Sequence, residues 1–201
     1  MIDTVIFDYG NTLVTFKEDE LVKTYTKNPD DAKILLNVFL APEYWQKLDA
    51  GTLTHDEWLK AAKKRLPDHL YPIAVELSNT WYYRLPDIEG MAELVKSLKA
   101  RGVKLYLLSN ISKAFAEHIS DFPLLSLFDG IVCSGVEQAA KPERKIYEIL
   151  IERYHLATNS CVFIDDRQDN LDTAAEFGIR PYRFDGDAAK LSAYLNKILV
   201  K

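Results

Sequence analysis

Cysteine is nearly missing: the 201 residues contain two, Cys133 in "GIVCSG" and Cys161 in "SCVFIDD", each inside an apolar run. Two isolated thiols without a neighbouring histidine suit buried, reduced side chains better than a disulfide framework or a thiolate metal site. Also lacking is any apolar run near the roughly 20 residues that a membrane span needs, and Asp3 with Thr4 interrupts a signal-peptide pattern. A cytoplasmic location without a membrane partner is the expectation. Clustered positive charge is absent too. The 25 Lys and Arg are scattered among 30 Asp and Glu, for a net charge of -5, so no basic stripe can track a nucleic acid backbone.

What is present is an apolar content of 48%, enough for a substantial core in one domain or in one domain with an insertion. Strand-like runs recur at residues 4–7, 103–108, 130–133, 161–164 and 181–184, mostly separated by helical patterns. This alternation predicts an α/β fold, a parallel sheet with helices on both faces. In "IEGMAELVKSLKARG", Met91, Leu94, Val95 and Leu98 repeat at helical spacing, and Lys99, Arg101 and Gly102 supply the stop. Residues 17–86 hold no convincing strand but several amphipathic segments, which predicts an inserted helical unit. Pro42 opens one helix that Gly51 ends, and Thr54 with Glu57 forms a capping box for the next.

Functional groups of open parallel sheets gather beyond the carboxyl ends of the strands. Asp8 ends the first run, Ser109 and Asn110 the second, and Asp165 and Asp166 another, while Lys141 lies in a loop after a further strand. Carboxylates packed together repel, so their convergence suggests a divalent cation, and hard oxygen donors favour Mg²⁺. A carboxylate nucleophile beside Mg²⁺, with a lysine to hold an anion, points to phosphoryl transfer.

"FDYGNT", "LLSN", the lysine of "KPERKIY" and "FIDDRQDN" stand in the order of the four motifs of the haloacid dehalogenase-like hydrolases, and the chain resembles that superfamily over its full length. The resemblance implies a Rossmann-like core with strand order 3-2-1-4-5, formed by residues 1–16 and 87–201, and a helical cap over 17–86. It implies Asp8 as the nucleophile that becomes an aspartyl phosphate, and Ser109 with the backbone at Asn110 and the following helix start as phosphoryl ligands. Lys141 would neutralise charge on both. Asp166 would be the direct Mg²⁺ ligand, joined by Asp8 and the Gly10 carbonyl, with Asp165 in support and Asn170 orienting the lysine or the loop.

One position departs from the pattern. The phosphatases of the superfamily usually carry an aspartate two places after the nucleophile, which protonates the leaving oxygen and later activates water; here that residue is Gly10. General acid-base help is worth about 10²–10⁴ in rate, and its loss weighs most on poor leaving groups. The expectation is a Mg²⁺-dependent phosphatase of a small phosphorylated metabolite, preferably a sugar phosphate with an acidic leaving oxygen. A glycine here also suits a positive φ or a close backbone approach. The alternatives are a 2-haloacid dehalogenase, disfavoured by the acidic pair of "FIDD", and a phosphate-ligand binder that has lost turnover.

Within the insertion, Trp45, Trp58, Trp81, Tyr82 and Tyr83 are expected chiefly to build its core, with pocket lining as the lesser reading. His55 and Glu57 are candidate replacements for the missing acid, although capping explains Glu57 and solvent exposure His55. Lys63, Lys64 and Arg65 read as a solvated helix face. Hinges for cap motion are expected at residues 15–17 and 85–87, and oligomeric state has no sequence signal.

Overall fold

The structure is a computed structural model that describes residues 2–199. Its centre is a parallel sheet of β1 (Thr4–Phe7), β2 (Lys104–Ser109), β3 (Gly130–Cys133), β4 (Cys161–Asp165) and β5 (Arg180–Arg183), in the order β3-β2-β1-β4-β5. β1 pairs with β2 through Phe7 opposite Leu107, and with β4 through Phe7 opposite Ile164. All four residues of β1 and all five of β4 are buried, which is why these strands read as continuous apolar runs rather than alternations.

Alternation survives as a choice of face. Val5, Phe7, Leu105, Leu107, Val162 and Ile164 face one core, shared with Met91, Val95 and Leu98 of α6 (Met91–Ala100) and Leu191 and Leu195 of α11 (Ala188–Ile198). Ile6, Tyr106, Leu108 and Phe163 face the other, packed on Ile146, Tyr147 and Leu150 of α9 (Arg144–Tyr154) and Leu171 and Ala174 of α10 (Gln168–Glu176). Cys133 and Cys161 are buried and free, and burial pushes their thiols up to about 12 and about 11 respectively. Neither ionises near neutrality, as expected of packing residues.

Between β1 and α6 the chain forms α1 (Glu18–Lys23), α2 (Pro29–Ile34), α3 (Pro42–Asp49), α4 (His55–Lys63) and α5 (Tyr71–Thr80). The capping box at the start of α4 is present in both directions: Glu57 N–H donates to Thr54 Oγ1, and Thr54 N–H donates to Glu57 Oε2 at 2.9 Å. Trp58 stacks on Phe39 with ring centres 3.9 Å apart and donates its indole N–H to the Phe39 carbonyl. Trp58, Trp81 and Tyr82 are buried, whereas Tyr83 is exposed and bonds Asp121 on the core side. Lys63, Lys64 and Arg65 are all exposed. His55 departs from its expected exposure: it is half-buried, edge-on to Trp58, because α4 turns that face inward.

Where the chain leaves and re-enters the sheet-bearing unit, the two passages hold each other. Thr15 N–H donates to the Pro86 carbonyl at 2.8 Å, Ile88 N–H to the Leu13 carbonyl at 3.0 Å, and Val14 bridges Asp87. Two shorter helices, α7 (Lys113–Ala116) and α8 (Ser134–Glu137), follow β2 and β3 and border the site. No helix among the described residues is long and apolar enough to cross a membrane.

Candidate active site

Asp8 leaves β1 with its N–H still donated to the Ile164 carbonyl of β4, so its side chain emerges at the carboxyl end of the sheet. Its Oδ1 accepts from Ser109 Oγ, the last residue of β2, at 2.6 Å and lies 2.8 Å from Lys141 Nζ. Lys141 Nζ also donates to Asp165 Oδ2 at 2.7 Å, so one buried ammonium ties two carboxylates together. Both bonds to Asp8 use Oδ1, and Oδ2 has no hydrogen-bond partner among the described residues.

Asp165 is saturated. Its Oδ1 accepts from Arg167 N–H at 2.8 Å, and both oxygens accept from Asn170 Nδ2 at 3.0 Å. Asn170 therefore orients the carboxylate of Asp165 rather than contacting the lysine. Tyr147 fixes Asn170 in turn, donating to its carbonyl at 2.8 Å. Asn110 serves the lysine, but through its main chain: Asn110 Nδ2 donates to the Lys141 carbonyl at 2.9 Å and Lys141 N–H donates to Asn110 Oδ1 at 2.8 Å. The helix start expected after Asn110 is a four-residue turn, α7, and the Ile111 N–H is occupied by Ser134 Oγ.

Burial pushes the Asp8 carboxyl up to about 6, with Lys141 opposing and Asp165 adding to the rise. Burial also works against the Lys141 ammonium, but Asp8 and Asp165 outweigh it and hold it above its ordinary value. Asp166, half-buried, is raised by lost solvation and by Asp165. One lysine thus faces three carboxylates, and the charge is undercompensated. Asp8, Asp165 and Asp166 each offer an oxygen within 4.8 Å of the others, a hard-donor set that fits a divalent cation such as Mg²⁺.

These groups open into a cleft of about 580 Å³ that continues under the helical insertion. Its far wall is apolar and aromatic: Phe16, Trp45, Trp81 and Leu85. Phe16 stacks on Trp45 at 5.3 Å, and Trp81 meets Trp45 edge-on at 4.9 Å. The cleft also receives Asp49 from α3, a residue that sequence reasoning passed over. Its one available signal was spacing, since Asp49 lies four residues after Trp45 and so shares a helix face with it.

The residue model of the haloacid dehalogenase-like hydrolases matches residues 2–178. The chain belongs to that family. It is accordingly a hydrolase, with the family's core and strand order. Among relatives, a sesquiterpene phosphatase of Aspergillus oryzae is 26% identical over 87% of this chain and 85% of its own. A D-ribitol-5-phosphate phosphatase of Bacteroides thetaiotaomicron is 25% identical over 91% of this chain and 92% of its own. A family enzyme of Bacteroides thetaiotaomicron, solved as a mutant with magnesium and inorganic phosphate, superposes with a TM-score of 0.74 at 18% identity, covering 95% of this chain and 99% of that one.

Gly10 of this haloacid dehalogenase-like chain does not take a positive φ. Asn11 does, with φ 52°, and its Oδ1 accepts from Phe16 N–H to close the loop. A Cβ on Gly10 would meet only the Phe16 Cβ, at the ordinary contact distance of 3.7 Å. The glycine is therefore not demanded by backbone strain, contrary to the conformational reading of the sequence.

Proposed function

We propose that this hydrolase is a Mg²⁺-dependent phosphatase of a small phosphorylated metabolite, working through Asp8. The observation that carries the reading is the undercompensated cluster, in which Asp8 keeps Oδ2 free while Ser109 and Lys141 hold Oδ1. A carboxylate held in this way has one oxygen fixed and the other free to attack phosphorus.

Asp8, Asp166 and the Gly10 carbonyl would hold Mg²⁺, with Asp165 in support. Bound there, the ion supplies positive charge against the phosphoryl oxygens and the clustered carboxylates. Ser109 and Lys141 are the groups placed to donate to those oxygens, the lysine in a water-poor position where its charge is little screened. Attack by Asp8 Oδ2 forms the aspartyl phosphate as the bond to the leaving oxygen breaks; water then releases phosphate and restores Asp8. Asn170 and Arg167 N–H keep Asp165 aimed at Lys141, so the lysine stays where both carboxylates need it.

The organic part of the substrate would lie against Phe16, Trp45, Trp81 and Leu85. A sugar ring suits such a wall through its C–H face, and this is the preferred substrate class. The same wall favours a second reading, the phosphate of a longer apolar alcohol, which accords with a relative named for a sesquiterpene.

The test is phosphate release from anomeric, alkyl, aryl, acyl and isoprenyl phosphates, with Mg²⁺ and with a chelator. Turnover at least about 10²-fold higher with Mg²⁺ is expected, the gain that a few kcal/mol of charge stabilisation provides. Halide release from 2-haloacids without Mg²⁺, or tight phosphate binding with no turnover, would overturn the reading.

A further inference from the structure

The carboxyl absent at Gly10 has a counterpart on α3. Asp49 is the last residue of α3 and lines the same cleft as Asp8, Gly10 and Lys141. Its main chain is held from behind, because Ser134 Oγ donates to the Asp49 carbonyl. Two residues on, Gly51 comes so near Gly135 that a Cβ on it would lie 2.5 Å from the Gly135 carbonyl oxygen. Gly135 is itself wedged in place, since a Cβ there would lie 2.5 Å from Lys113 N and 2.8 Å from the Ile111 carbonyl. The end of α3 is thus docked on the start of α8, which is itself wedged against the segment that follows Ser109 and Asn110, and this chain of contacts sets its position relative to Asp8.

The surroundings of this carboxyl shape its chemistry. Lost solvation, reinforced by the negative charge of Asp8, holds it well above its ordinary 3.8, towards the protonated form that an acid needs. Behind it lies a cavity of about 10 Å³ lined by Asp49, His55, Ser78 and Ser112, and His55 Nε2 is buried without a hydrogen-bond partner among the described residues. Trp45, Leu48, Trp58 and Trp81 form most of the rest of its lining, so the two side chains are held in largely apolar surroundings.

We propose that Asp49 is the general acid and base of the reaction, taking the part that the carboxyl missing at Gly10 plays in related phosphatases. The proposal rests on the reading of the chain as a phosphatase acting through Asp8. In the first step Asp8 Oδ2 bonds to phosphorus, the bond from phosphorus to the leaving oxygen breaks with its electron pair on that oxygen, and Asp49 gives its proton there. In the second, water bonds to phosphorus, its proton passes to Asp49, and the bond from phosphorus to Asp8 breaks. Asp8 ends as carboxylate and Asp49 as acid, ready for another cycle. With this acid in place the substrate is no longer restricted to acidic leaving groups.

The experiment compares wild type with Asp49→Asn on glycerol 3-phosphate, a poor leaving group, and 4-nitrophenyl phosphate, a good one. For the alkyl ester, kcat/KM should fall by roughly 10²–10⁴-fold. For the aryl ester kcat/KM, which ends with phosphorylation of Asp8, should change by less than about tenfold. Its kcat should nevertheless fall, with a burst of nitrophenolate matching the enzyme concentration, because the second step has lost its base. The alkyl activity of wild type should decline as pH rises through the Asp49 titration, and the variant should lack that limb. Asp8, Tyr9, Glu18, His55, Lys141, Glu143, Asp166 and Arg167 also face this space, so the limb is assigned by the difference between the two proteins.

Thermal melting gives a readout without turnover. A raised folded-state pKa means that the folded protein binds more protons, so stability falls as pH rises from about 4 through the raised value; Asp8 and Asp166 contribute falls of the same sign, and Asp49→Asn should make the total fall shallower. Equal losses of kcat/KM on both esters, or no loss and no burst, would overturn the assignment of Asp49 alone. A wild type that releases no phosphate from any ester would overturn the phosphatase reading, and this one with it.

Discussion

Lys141→Met is expected to lower the stability of the metal-free protein by about 3–5 kcal/mol, the usual result of removing one partner from a buried charge cluster. The lysine side chain is 1% exposed and lies 2.8 Å from Asp8 and 2.7 Å from Asp165, whose side chain is wholly buried. Methionine replaces most of the apolar stem but not the ammonium, which also lies 5.2 Å from the ring centre of Phe163. What is lost is the ammonium, so two desolvated carboxylates are left facing each other. For a chain of this size the deficit corresponds to a fall in Tm of roughly 6–20 °C. Mg²⁺ binds only the folded cluster and should recover part of it in proportion to its occupancy. Urea denaturation with chelator and with excess Mg²⁺ checks both statements. A loss below about 1 kcal/mol would mean that the pair behaves like a surface ion pair, contrary to its burial.

Asp8→Asn is expected to abolish phosphate release, by roughly 10⁴–10⁶-fold, as removal of a covalent nucleophile does elsewhere. The amide is nearly isosteric and its oxygen can still accept from Ser109 and Lys141, so the fold and the phosphate-facing groups remain. It cannot form the acyl phosphate, and residual activity would come from binding and positioning alone. The variant should therefore melt normally while losing turnover on every ester in the panel. A variant within tenfold of wild type would remove Asp8 from the mechanism and make direct attack by water the better account.

Much of this architecture could be read before any coordinates. β1 and β4 are legible because central parallel strands are buried on both faces and so appear as unbroken apolar runs ending in Asp8 and Asp165. The capping box at Thr54 and Glu57 is legible because both partners lie within one helical turn. Asp49 was not, because its relation to Asp8 arises from the docking of Gly51 on Gly135, a contact between distant parts of the chain. The environment of His55 was hidden for the same reason, since helix packing rather than local pattern buries its Nε2. Gly10 misled in a smaller way: the left-handed residue of that loop is its neighbour Asn11, a type that tolerates the conformation. Asn170, expected to orient the lysine or the loop, gives its amide to Asp165, a pairing set by tertiary packing that no local pattern displays.

The most direct measurement is to trap the covalent intermediate. Wild type would be mixed with 4-nitrophenyl phosphate and Mg²⁺, quenched within the first turnover, and reduced with borohydride, which converts an aspartyl phosphate to homoserine. Peptide mass spectrometry should then find homoserine at position 8, absent when substrate is omitted and absent in Asp8→Asn. Steady turnover with no modification at position 8 at any quench time, or with the modification at another carboxylate, would contradict the account.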